Sequence, residues 1–451
     1  MRSLVYGTPS WQRYLAALPR SGAPRPQVER AVAAILRDVQ RHGDRALVRL
    51  GARFDGVRLS PRQLHVTPRE LRALARRAKP DVVAALREMA QRIEAFHSRQ
   101  RSSGFRLRLR DGSSLEELVQ PLASVGLYVP GGAGAYPSSV LMNAIPARIA
   151  GVTRLVVTTP PRTLEANPAV AAALVLAGAD RDVFRVGGAQ AVAALAYGTQ
   201  TVPAVAKIVG PGNAFVAAAK RHVRGRVEID NDAGPSEVVI LADDSADAGW
   251  VAADLLAQAE HGSGQETVVL VTPSPALAGE VSRLVAEGLP SVANVAAARR
   301  ALARHGAVVH VHDLEQGLAV VNALAPEHVQ LMVRQASALA GRVVAGAVFV
   351  GAYAPVAVGD YGIGPNHVLP TGGTARAASP LSVRDFERRQ SRVQMTARGL
   401  RRVARGVVAV ALAEGFRGHA QSVLTRFEPK PGVQRAQSGQ RAQRRGGGSR
   451  G

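Results

Sequence analysis

The sequence predicts an α/β protein of two Rossmann-like, doubly wound α/β domains with small helical segments at its N- and C-termini. Three observations carry that reading. From Ser124 onward, short apolar runs alternate with alanine-rich helical stretches. The same alternation resumes after Pro235. Glycine-rich turns of the kind that join a strand to a helix close the apolar runs of the first series. At 451 residues the chain is also long enough for two or three domains, since single cores stop growing at roughly 250–300 residues.

Taken in order, residues 1–24 mix charge with apolar residues at helical spacing and read as an N-terminal helical segment. Val28 to Leu50 and Pro68 to Gln100 place apolar residues at i, i+3 and i+4 with arginine between them, which predicts long amphipathic helices. The first strand series is Val125 to Val129, Leu155 to Thr158, Val183 to Val186 and Lys207 to Val209. The second is Val238 to Leu241, Val268 to Val271, Ala307 to Val311 and Ala347 to Val350, with helices starting near Ala246, Pro275 and Leu314. A parallel strand needs a crossover of about a dozen residues or more, so each series winds with helices on both faces. Beyond Ser379 the pattern is wholly helical, over Val383 to Gln390 and Gly399 to Glu414. The predicted organisation is therefore a split first α/β domain (25–123 plus 237–378), an inserted α/β domain (124–236), a C-terminal helical segment (379–427) and a disordered basic tail (428–451).

Composition narrows the function classes. A hydrophobic fraction of 47% and a charged fraction of 20% are those of an ordinary soluble protein, and no run approaches the ~18 apolar residues of a membrane span. The N-terminus lacks an apolar signal core and a small-residue cleavage site, so a cytoplasmic protein is expected. The net charge of +23 points formally to nucleic acid. Yet of the 57 basic residues only Lys79, Lys207, Lys220 and Lys430 are lysines. Arginine joins alanine, glycine and valine in excess and is spread along helices, which reads as coding bias. With aromatics at 4% and no recognised motif, a basic nucleic-acid-binding protein stays a non-enzyme alternative and no specific nucleic acid is expected as partner. Cysteine is absent, which excludes disulfides, thiolate metal sites and a thiol nucleophile.

Several residues could carry chemistry. The turns Gly126 to Gly132 (GLYVPGG), Gly187 to Gln190 (GGAQ) and Gly210 to Asn213 (GPGN) each follow an apparent strand, where a helix N-terminus receives an anionic or polar ligand. None matches G-x-G-x-x-G. Gln258 and His261 lie three apart on the helical stretch Ala252 to His261, hence on one face. Asp360, in a Gly-Asp-Tyr loop after a strand, and His419 near the C-terminus would complete a nitrogen-and-oxygen set suited to zinc or a neighbouring divalent ion. Spacing does not bring these four together. Glu327-His328 follows Ala325-Pro326, where the proline suggests a loop, and a carboxylate beside an imidazole there is a candidate acid/base pair. His42, His65, His97, His222, His305, His310 and His312 carry no supporting context and read as structural.

Together the segments VGLYVPGGAGAYPSSVLMNAIPARIAGV (125–152), VGGAQAVAALAYGTQTVPAVAKIVGPGNAFVAAAKRHV (186–223), AGPS (233–236), LLAQAEH (255–261), APEH (325–328), GDYGIGPNHVLPT (359–371) and EGFRGHAQSV (414–423) resemble histidinol dehydrogenase, in that family's order and spacing. The resemblance spans roughly residues 25 to 425. It implies an NAD-dependent, zinc-binding enzyme of histidine biosynthesis that oxidises L-histidinol through L-histidinal to L-histidine in a four-electron reaction. It assigns zinc, one ion per subunit, to Gln258, His261, Asp360 and His419, and proton transfer to Glu327 and His328. Tyr128, Gln190 and Asn213 match NAD contacts, placing the nucleotide on the inserted domain; Ser236, His328 and Glu414 match substrate contacts beside the four zinc ligands. It also implies a homodimer in which the C-terminal segment crosses, so that Glu414 and His419 complete the partner's site. Two stretches depart from the expected pattern: Gly262-Ser-Gly264, where an acidic residue is expected, and Asp230-Asn-Asp232, where a more apolar stretch is expected. They put the substrate in question, and a related dehydrogenase of another small polyfunctional alcohol is the enzymatic alternative.

Overall fold

The protein is seen in a computed structural model that describes residues 1–19, 26–131, 136–231 and 234–428. Gly132, Ala233 and the basic tail past Glu428 lie outside the described residues. The chain forms two compact units, one of residues 1–102 and 120–388 and one of residues 103–119 and 389 onward. In chain order the strands are β1 (Arg2–Val5), β2 (His65–Val66), β3 (Phe105–Arg108), β4 (Ser114–Pro121) and β5 (Ser124–Tyr128). There follow β6 (Arg154–Thr159), β7 (Asp182–Arg185), β8 (Lys207–Val209), β9 (Glu228–Ile229) and β10 (Glu237–Ala242). The last are β11 (Thr267–Thr272), β12 (Gly306–His310), β13 (His328–Met332), β14 (Ala347–Val350) and β15 (Glu387–Gln394).

The large unit holds two six-stranded sheets, ordered β2-β7-β6-β5-β8-β9 and β1-β12-β11-β10-β13-β14. Within each sheet five strands count 3-2-1-4-5 in their own sequence, and all five run parallel. That is the doubly wound topology the alternating texture predicted. Both faces of each sheet are covered. Val125 and Leu127 pack into one apolar cluster and Tyr128 into the other, while Val238 and Ile240 face one side and Val239 and Leu241 the opposite. Such double burial explains why the strands read as continuous apolar runs rather than alternating ones.

The structure corrects the reading at five places. Arg2–Val5 is not helix but strand β1, paired in parallel with β12, too short for any period to register. The stretch predicted as one helix from Val28 to Leu50 is two, Pro26–His42 and Asp44–Phe54, parted by Gly43 at φ +52°. The next is likewise two, Pro68–Ala75 and Pro80–His97, the second opened by a proline at its first position. Strand β13 starts at His328, where a loop was expected: Ala325 turns the chain sharply in the left-handed region, φ +46°, and pairing begins three residues later. Val383 to Gln390, predicted helical, is a single 3-10 turn, Val383–Phe386, opened by a Ser382/Asp385 capping box and running into β15.

In the small unit β15, β4 and β3 form a sheet. Arginines drive that pairing: Arg389 meets Glu117 at 2.5 Å, and both Arg106 and Arg392 reach Glu116. Its helices are Ala397–Ala413 and Arg417–Leu424. Among the described residues no helix is long and apolar enough to cross a membrane.

Candidate active site

The three glycine-rich turns end strands of the first sheet. Tyr128 closes β5, and its hydroxyl accepts a hydrogen bond from the Gly188 amide at 3.1 Å. Burial lifts the Tyr128 hydroxyl above its ordinary range, so it stays neutral. Gly210 follows β8 with φ +115°, and a Cβ there would run into the Tyr128 carbonyl. Two of the three turns thus touch the tyrosine that belongs to the third. They meet at the switch point of the sheet, between its first and fourth strands, where open parallel sheets hold ligands.

A buried ion pair fixes the last of these turns. Lys220 and Asp230 are 5% and 3% exposed and hydrogen-bonded to each other. The Lys220 Nζ also donates to the Gly210 carbonyl at 3.1 Å, while Asp230 Oδ2 accepts from the Gly210 amide at 2.7 Å. Asp230, singled out as a departure that bears on substrate choice, borders the cavity but directs its carboxylate at the turn. Asn213 caps the helix Ala214–Val223, its Oδ1 accepting from the amides of Phe215 and Val216 at 3.0 and 3.1 Å. Gln190 lies buried in the first turn of Gly188–Tyr197.

Opposite these turns stands the amino edge of the second sheet. β10 and β13 are parallel neighbours with Val238 beside His328, so Glu237 and Glu327 enter the sheet side by side. Their hydrogen bonds are reciprocal: the Glu237 amide donates to Glu327 Oε2 at 3.0 Å, and the Glu327 amide donates to Glu237 Oε2 at 3.1 Å. Glu327 is buried, and desolvation, followed by the charges of Glu237 and Asp360, raises its proton affinity well above that of a free carboxyl, against the amide of Glu237 and the Ser236 hydroxyl. His328 Nδ1 lies 3.0 Å from the Glu237 carbonyl. A carbonyl only accepts, so Nδ1 carries the proton and Nε2 keeps its lone pair. Burial lowers the ring to about 4, which leaves it neutral with Nε2 free of a proton.

A cavity of about 390 Å³ lies between the two edges. Asn213, Ser236, His261, Glu327, His328 and Asp360 all border it. Asp360 sits on a one-turn helix, Val356–Tyr361, rather than in a loop. His261 follows the helix Ala248–Ala259 instead of lying on it, with its amide 3.4 Å from the Gln258 carbonyl. Gln258 is 2% exposed, and its side-chain nitrogen has no hydrogen-bond partner among the described residues. Among the described residues no three His, Asp or Glu side chains form a metal cluster. His419 and Glu414 belong to the small unit, both exposed, with the His419 ring 5.1 Å from that of Phe416.

Sequence reading passed over His367. Its Nδ1 donates to the Asp360 carbonyl at 3.0 Å, and its Nε2 accepts from Ser139 Oγ at 3.1 Å, which holds it on the cavity wall beside Asp360. The nearest signal was its place in the GDYGIGPNHVLPT motif, seven residues after Asp360. Glu237 was missed as well, since a glutamate opening an apolar strand gives no sign of what it faces.

The histidinol dehydrogenase family model matches residues 18–427. The chain is similar to the histidinol dehydrogenase of Syntrophotalea carbinolica, 45% identical over 430 residues that cover 95% of this chain and 99% of the relative. It is 47% identical to that of Cereibacter sphaeroides over 404 residues, 89% of this chain and 93% of the other. Its fold is similar to the crystal structure of histidinol dehydrogenase from Elizabethkingia anophelis, with a TM-score of 0.87 at 31% identity, covering 95% of this chain and 98% of that one.

Proposed function

The chain belongs to the histidinol dehydrogenase family and is an oxidoreductase, and from that premise we propose that it oxidises L-histidinol through L-histidinal to L-histidine with NAD and zinc. The single observation that carries this reading is the neutral, tautomer-fixed His328 beside the buried Glu327 on the wall of one cavity. It is the apparatus a two-stage oxidation needs: a base for the alcohol proton and a second base for water.

The glycine turns suit a dinucleotide. Gly131 is packed so that a Cβ would strike Thr163, Gly212 so that one would strike Val216, and the helix N-terminus capped by Asn213 opens toward the cavity. Tyr128, Gln190 and Asn213 are the residues that would hold NAD, which supplies a hydride acceptor for each oxidation. Gln258, through its amide oxygen, His261 and Asp360, with His419, are a nitrogen-and-oxygen donor set that would hold zinc, and the place of His261 and Asp360 on the wall of one cavity fits that role. Zinc when bound supplies a Lewis-acid anchor for the substrate's nitrogens. Ser236, His328 and Glu414 would complete the substrate contacts.

In the first stage His328 Nε2 takes the hydroxyl proton as the carbinol carbon loses hydride, giving the aldehyde. In the second, Glu327 takes a proton from water as the water oxygen bonds to the aldehyde carbon, and the resulting hydrate anion gives up a second hydride to the acceptor to leave the acid. A chain without cysteine forms no thiohemiacetal, so the attack on the aldehyde is assigned to water. We further infer a cytoplasmic homodimer whose small unit lends Glu414 and His419 to the other subunit's site.

The test is NADH formation with L-histidinol and with L-histidinal, with and without chelator, in wild type, His328→Asn and Glu327→Gln. The expected result is loss of the first hydride transfer in His328→Asn. Glu327→Gln keeps the first transfer and loses the second, and neither variant changes zinc content. Equal loss of both steps in single-turnover measurements of each variant would remove the division of labour. A wild type inert to both substrates would remove the function.

A further inference from the structure

We propose that Glu237 is the positioning residue of the active-site carboxylate Glu327, the two forming a reciprocally braced carboxyl pair on which the aldehyde stage depends. This rests on the reading of Glu327 as the base that activates water.

The geometry singles the residue out. Glu237 touches both proposed proton-transfer groups: its carbonyl fixes the tautomer of His328, its amide donates to the Glu327 carboxylate, and its own carboxylate accepts from the Glu327 amide. The same Oε2 accepts from the Gly372 amide at 3.1 Å, which ties the segment after His367 to the pair. Both glutamates are less than 8% exposed. A parallel register that sets two strand-opening residues side by side is what brings the carboxyls together.

Folding alone does not call for a charge there. Two backbone amides are satisfied as well by the neutral oxygen of a glutamine, whereas a buried carboxylate beside a second one adds desolvation cost and like-charge repulsion. Repulsion of this kind has a use in catalysis. It adds to burial, the larger cause, in making Glu327 a stronger base than a free carboxyl, while the amide of Glu237 holds its Oε2 in place. Among the described residues Ser236 and Asp360 bear on Glu327 and Tyr14 on Glu237, with Asp360, His261 and His367 acting on His328.

Glu237→Gln separates the two contributions, because the amide oxygen keeps the hydrogen bonds accepted from the Glu327 and Gly372 amides while the charge is lost. In the zinc-loaded full-length enzyme, with L-histidinal and NAD, the expected result is a loss of about tenfold or more in aldehyde oxidation. The acid limb of its pH profile is expected to move down by about one pH unit. Single-turnover oxidation of L-histidinol to the aldehyde and the KM for NAD are expected to stay within about twofold of wild type. Glu237→Ala, which also releases the Glu327 and Gly372 amides, is expected to lose both stages. Wild-type aldehyde oxidation in Glu237→Gln, or an equal fall in both stages with the acid limb unmoved, would overturn the proposal while leaving the enzyme's identity intact. A wild type inert to both substrates would instead overturn the functional reading beneath it.

Discussion

Removing the lysine of the buried Lys220–Asp230 pair offers the most direct test of how the cofactor turn is held. In Lys220→Met the Asp230 carboxylate, 3% exposed, loses its counter-ion and keeps the Gly210 amide as its donor. Breaking one side of such a pair costs about 3–5 kcal/mol. The Gly210 carbonyl also loses a donor, a further cost of order 1 kcal/mol. Lys220→Met/Asp230→Asn removes both charges while Asn keeps an acceptor for the Gly210 amide, so it is expected to recover at least about 2 kcal/mol of the single variant's loss. The assay is urea unfolding followed by far-ultraviolet circular dichroism, paired with NAD titration. Because Gly210 packs on the Tyr128 carbonyl, a loosened turn is expected to weaken NAD binding by about tenfold, or 1.4 kcal/mol. A wild-type urea midpoint in Lys220→Met, or a double variant no better than the single one, would refute the argument.

Further outcomes are expected. Gly210→Ala places a Cβ against the Tyr128 carbonyl at φ +115°, and a loss of roughly 1–3 kcal/mol in unfolding free energy with weakened NAD binding checks it. The folded pKa of His328 lies below the unfolded value near 6.5, so the neutral ring's contribution is complete above that pH and is lost as pH falls toward 4. Urea unfolding of chelated wild type and His328→Asn at pH 7 and 4.5 is therefore expected to show the difference moving about 2 kcal/mol in favour of Asn; a constant difference would contradict a buried neutral imidazole. Mixing His328→Asn and His419→Asn dimers under subunit exchange is expected to restore about one quarter of wild-type activity, the value for half the dimers carrying one intact site. No recovery would place both residues in the same subunit's site.

Much of this was legible in the chain itself. Runs such as Val238 to Leu241 and Val268 to Val271 declare buried parallel strands, and alanine-rich stretches between glycine turns declare the covering helices. These are local signals, since a strand packed on both faces is apolar throughout and a βα turn needs glycine where the chain reverses. The motifs around Tyr128, Asn213, Gln258 and Glu327 were likewise readable, because each lies in one short segment. Elements that depend on a distant partner were not. Arg2–Val5 becomes a strand only because β12 lies open beside it, and Glu387–Gln394 only because β4 offers Glu116 and Glu117 to its arginines.

The cavity shows the same division. Sequence supplied a glutamate, a histidine and an aspartate as chemistry without an address. Tertiary structure decided that Glu327 meets Glu237 across a parallel register, that the Glu237 carbonyl sets the His328 tautomer, and that Lys220 braces the Gly210 turn. The first two of those choices rest on hydrogen bonds between residues roughly ninety positions apart, the third on one across ten. Composition and period report what a segment buries, whereas which buried polar atoms face each other is fixed only when the sheets close.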